Sequence, residues 1–109
     1  MLTSLEIIKK LEGTDIEVEL KAILRRLLHC QKEFANASAD DLGSQRYGQL
    51  YKTMTESQRQ AKILFDTMNL VGNCNIGYWL DFDNSLCHIV DWAADTKTIL
   101  TSYDSFDPV

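Results

Sequence analysis

A chain of 109 residues, 45% hydrophobic and with a net charge of −5, suits one folded domain with its own core and is too short for two. No apolar run approaches the roughly 18 residues of a membrane span, and MLTSLEIIKKLEG lacks a basic stretch followed by a continuous apolar one. Three cysteines with no CxxC spacing speak against a disulfide framework, so a soluble cytoplasmic protein with free thiols is expected.

The acidity is unevenly spread. Up to Lys62, ten Lys/Arg stand against nine Asp/Glu, whereas from Ile63 onward Lys97 alone faces seven acids. That split argues against non-specific nucleic-acid binding and favours a protein partner with a basic surface.

In chain order, Thr3-Ser4-Leu5-Glu6 has capping-box spacing and starts a short helix that should end at Gly13. Thr14-Asp15-Ile16-Glu17 repeats the signal. A second helix, about Asp15 to Phe34, then collects Ile16, Leu20, Ile23, Leu24, Leu27, Cys30 and Phe34 on one face and Lys21, Arg25, His29 and Lys32 on the opposite one. Residues 35–41 lose the period and read as a connection. The longest helical pattern, Gln45 to Val71, follows a cap at Asp40 or Ser44 and places Tyr47, Leu50, Met54, Ala61, Leu64, Phe65 and Met68 together. Gly72 is expected to leave this helix in the left-handed conformation.

After the turn-forming run Gly72-Asn73-Cys74-Asn75-Ile76-Gly77, two readings compete. Tyr78 to Phe82 could be a strand that passes through Asp83-Asn84-Ser85 into a second strand. The helical reading is preferred, because Trp79, Phe82, Leu86, Ile89, Val90, Ala93 and Leu100 gather at helical steps, with Asp81, Asn84, His88, Asp91 and Asp95 opposite. Residues 104–109 have no period and are expected to form an irregular tail. With Pro108 the sole proline, the expected fold is all-α: a single-domain antiparallel bundle of one short N-terminal helix and three longer ones.

Candidate chemistry is sparse. His29-Cys30, Cys74 and Cys87-His88 have zinc-ligand residue types, but neighbours on one helix point about 100° apart, so Cys30 and Cys87 are read as packing residues. His88, Asp91 and Asp95 would share a helix face, where a carboxylate could orient the imidazole for proton transfer or join it around a divalent ion. Neither a nucleophile, a glycine-rich phosphate loop nor an ExxH partner accompanies them, so no catalytic residue, cofactor or metal ligand is assigned. The basic stripe on the second helix reads as a solvated face, possible contacts being the acidic C-terminal half or phosphates.

Large apolar residues outside the core faces carry more information. Trp92, Ile99 and Tyr103 form a second ridge beside Asp95, and Ile63 and Leu70 project from the central helix. Interfaces use such anchors at a rim of charge; the plainer account is a bundle that buries two faces, or a tail whose Phe106 covers Trp92. The expected function is a non-enzymatic protein-binding module, such as a small inhibitor, immunity-type protein or regulatory adaptor. Its partner-binding residues would be Asp81, His88, Asp91, Trp92, Asp95, Ile99 and Tyr103. A homo-oligomer built through Ile63, Leu70 and Trp92, and a small enzyme or metal-binding protein centred on His88, are the alternatives.

Overall fold

Hydroxyl caps set the helix starts. In the computed structural model, which describes residues 2–92 and 97–104 apart from the Leu42 side chain, Thr3 Oγ1 accepts from the Glu6 N–H at 3.2 Å and Glu6 Oε1 accepts from the Thr3 N–H at 3.3 Å. This reciprocal pair opens α1 (Ser4–Leu11). Gly13, at φ +76°, turns the chain, and Thr14 caps α2 (Asp15–Ala35) by accepting from the Glu17 N–H. Glu17 reaches back one residue further than a capping box requires, to the Gly13 N–H at 3.2 Å. Within the expected connection, Ser38 and Asp41 form another capping box around the single-turn α3 (Ala39–Leu42). Ser44 then caps α4 (Gln45–Gly72).

The exit from α4 differs from expectation. Asn73, not Gly72, takes the left-handed conformation, at φ 52°. Gly72 is the last helical residue and is buried; a Cβ there would lie 2.4 Å from Ile7 Cδ1 and 2.7 Å from the Leu2 carbonyl oxygen. The glycine is needed for the close approach of the chain ahead of α1, and asparagine tolerates the turn.

The all-α bundle is overturned beyond this point, because the chain forms a sheet instead of a third long helix. β1 (Ile76–Asp81), β2 (Leu86–Asp91) and β3 (Thr98–Asp104) make a three-stranded antiparallel sheet in the order β1-β2-β3. The fold is therefore mixed, with helices layered on one face of an antiparallel sheet. Cross-strand rows run Leu80–Cys87–Tyr103, Tyr78–Ile89–Thr101 and Trp79–His88–Ser102. The register shifts within the second pairing: Ile89 faces Thr101 and Val90 faces Ile99, leaving Leu100 as an extra residue on β3. The β-branched Ile89-Val90 and the aromatic Tyr78-Trp79 suit a pleated surface. The hairpin turn is fixed by Asp81, whose carboxylate accepts from the Asn84 N–H at 3.2 Å and the Asn84 amide at 2.9 Å, and by Ser85 at φ 54°.

One core joins both layers. Ile7 and Ile8 of α1, Leu20, Ile23, Leu24, Leu27 and Leu28 of α2, Ala61, Phe65 and Met68 of α4, and Ile76, Cys87, Ile89 and Tyr103 of the sheet pack together. Ile16 and Phe34, expected in it, are exposed and half-buried respectively. Three members of the basic stripe reach the sheet: Lys21 lies over the Tyr103 ring, Arg25 Nε donates to the Asp104 carbonyl at 2.7 Å, and Lys32 Nζ bonds Ser85 Oγ. His29 remains exposed. No helix among the described residues is long and apolar enough to cross a membrane.

Candidate functional site

A strand turns successive side chains to opposite faces, so the residues read as one helix face separate into two groups. His88 lies on the sheet face turned away from the helices, whereas Asp91 lies with Ile76 on the helix side and its Oδ2 accepts from Ser4 Oγ at 2.6 Å. Asp95 is outside the described residues, as is Phe106. Tyr103 is in the core at 7% exposure, where burial first, and then Glu17 beside it, push its hydroxyl up to about 12. Asp81, His88, Trp92 and Ile99 are left on or beside the outer face, and the structure adds Trp79, Ser102 and Lys97 to them.

The outer face is built around His88. Its ring stacks on Trp79 with centroids 4.8 Å apart and an interplanar angle of 30°. Nδ1 is 2.6 Å from Ser102 Oγ on β3, and Nε2 is 3.6 Å from Asp81 Oδ2 on β1, an electrostatic contact slightly longer than a direct hydrogen bond. With these partners His88 is buried to 6% exposure although it faces outward. The Asp81 carboxyl is held below the usual carboxylate range, chiefly by the Asn84 hydrogen bond and also by His88. Imidazole orientation, and through it the Trp79 indole, is thus set from both flanking strands.

Trp92 follows β2 directly. Its N–H donates to the Asn75 carbonyl at 2.9 Å, and its indole lies across Gly77 on β1 so closely that a Cβ there would be 2.7 Å from Nε1. Gly77 is the flat spot in the strand that admits the ring. Val90, paired with Gly77 and Ile99, is fully buried at this position. Trp79, Trp92 and Ile99 nevertheless remain 37%, 41% and 47% exposed. The Lys97 ammonium sits 3.5 Å from the Trp79 ring centroid and 5.9 Å from that of Trp92.

The thiols lie apart from this face. Cys87 alternates with His88 and points into the core, where desolvation pushes it up to about 11; burial likewise raises Cys30. Among the described residues no group of three or more His, Cys, Asp or Glu side chains converges as metal ligands would. On α4, Ile63 and Leu70 are exposed, on a different layer from Trp92.

Sequence reasoning included His88, Asp81, Trp92 and Ile99 but omitted Trp79, Ser102 and Lys97. The signal for Trp79 was its place opposite His88 across a short Asp-Asn-Ser turn, which becomes visible only when the hairpin reading is taken. No protein-family model, curated protein or solved structure matches this chain.

Proposed function

We propose that the protein is a non-enzymatic protein-binding module that uses the outer face of its sheet, in the manner of a small inhibitor, immunity-type protein or regulatory adaptor. The carrying observation is the pair of exposed tryptophans fixed on one sheet face beside Ile99. Monomer surfaces seldom leave large rigid aromatics clustered in water, and such side chains are the commonest anchors of interfaces because they bury much area at little entropic cost. From Ile63 onward the chain carries seven acids against Lys97 alone, a balance that suits a partner with a basic surface.

The test is affinity capture from native extract with the wild type and Trp92→Ala side by side, followed by binding measurements on the captured protein. The reading expects a specific protein whose affinity falls by roughly 2 kcal/mol or more in the variant. Equal binding by the two forms would overturn it.

The Ser102–His88–Asp81 line favours a second reading, a small acyl-transfer enzyme. Ser102 Oγ would lose its proton to His88 Nδ1 while attacking an acyl carbon, and that proton would leave on the departing group; water would then release the acyl chain from Oγ. Covalent labelling by a fluorophosphonate, lost in Ser102→Ala, would support this reading. An unlabelled serine in the wild type would remove it.

A further inference from the structure

We infer that Trp79 and Trp92 form a binding site for a cationic side chain, lysine or arginine, of the partner, and that Lys97 occupies this site in the unbound protein. The inference rests on the protein-binding reading of the sheet face and names the chemistry that the face selects. An ammonium 3.5 Å from the Trp79 centroid and 5.9 Å from that of Trp92 is positioned for attraction to the negative faces of both rings. Both rings are positioned by their neighbours. Trp79 is stacked on a histidine held by Ser102 and Asp81, and Trp92 is seated on Gly77 with its backbone tied to Asn75. Such preorganisation lowers the ordering cost that an incoming cation would otherwise meet.

Complementarity supplies the choice of occupant. From Asn73 onward the chain contains Lys97 as its lone Lys or Arg against six acids, with Asp81 among them on the outer face itself. The balance of charge in this part of the chain favours an external cation, and Lys97 is the competitor it meets at the rings. That competitor is exposed and held through ring contacts, an interaction that an external ammonium or guanidinium can replace. Self-occupancy by Lys97 lowers the apparent affinity for the external group by the fraction of time the rings are covered.

The test uses N-acetyl-lysine methylamide as the probe, its ε-acetylated neutral analogue as the control, and the two indole N–H resonances as the reporter. Saturable shifts of both indoles are expected with the charged probe alone, with Kd about two- to fivefold lower in Lys97→Met than in wild type. They should vanish in Trp79→Leu, which keeps apolar bulk without the aromatic face; an otherwise unchanged amide spectrum confirms its fold. Shifts that are linear, equal for the two probes, or identical in wild type and Lys97→Met would overturn the inference. Because no partner protein is needed, the two ideas fail separately: a captured partner with no charge-selective indole response sinks the cation site alone, and a saturable response with no captured partner sinks the protein-binding reading alone.

Discussion

The Asn69 side chain on α4 makes a paired hydrogen bond with the backbone of Ile76, the first residue of β1: the Ile76 N–H donates to Oδ1 at 2.6 Å, and Nδ2 donates to the Ile76 carbonyl at 3.0 Å. One amide thereby imitates a neighbouring strand and joins the last turn of the long helix to the start of the sheet. Asn69→Ala leaves both half-buried backbone groups without this partner and should destabilise the protein by about 2 to 3 kcal/mol in chemical denaturation. A loss below about 0.5 kcal/mol would show that water replaces the amide without cost.

Gly77→Ala tests the seat of Trp92. The new methyl would collide with the indole rather than with backbone, so the ring should swing outward and the fold should lose less than about 1 kcal/mol. Tryptophan fluorescence should shift to the red while the helical circular dichroism stays unchanged. An unaltered emission spectrum would mean that the ring is not held against β1.

Alkaline stability should report the two buried acids of the sheet. Burial raises Cys87 from 9.0 to about 11 and Tyr103 from 10.0 to about 12, so between these limits the folded state holds protons that the unfolded state has released. Their contribution is fully present below pH 9, starts to fall above it, and is lost as pH climbs through the folded values. Tyr103→Phe should therefore flatten the decline in unfolding free energy above pH 10, measured by denaturant titration at several pH values. A parallel decline in wild type and variant would contradict the assignment.

Helices α1, α2 and α4 were legible in the sequence because their caps are local and their apolar residues recur at helical steps over many turns. The sheet was not, for a physical reason found in particular residues. Alternation identifies a strand when one face is polar, but here Tyr78, Leu80, Cys87 and Ile89 point into the core while Trp79, Val90 and Ile99 cover the other side. Apolar residues on both faces erase the two-residue period, and Trp79, Phe82, Leu86, Ile89 and Val90 then fit a helical wheel by coincidence. The Asp83-Asn84-Ser85 turn and the Ile89-Val90 pair were the better guides. The error carried into the site: strand geometry parts Asp91 and Tyr103 from His88, and brings in Ser102 and Trp79 from neighbouring strands.

Ser57 offers a test of the interface between the long helices. It is 1% exposed on α4, and among the described residues its hydroxyl is the buried side-chain polar atom left without a hydrogen-bond partner. Ser57→Ala removes that unsatisfied group with little change of volume, so stability should stay level or rise by about 1 kcal/mol. A loss of more than about 1 kcal/mol would reveal a hydrogen bond made in solution.

The extra residue in β3 bears on how copies of the protein meet one another. A fourth strand could add alongside β3 only if that border offered an unbroken row of donors and acceptors, and the irregularity at Leu100 interrupts the row midway. Further along, the Asp104 carbonyl already accepts from Arg25. Sheet growth from one molecule to the next is disfavoured on that side, and concentrated protein should resist ordered fibrillar stacking even though its outward side chains are rich in aromatic and aliphatic groups.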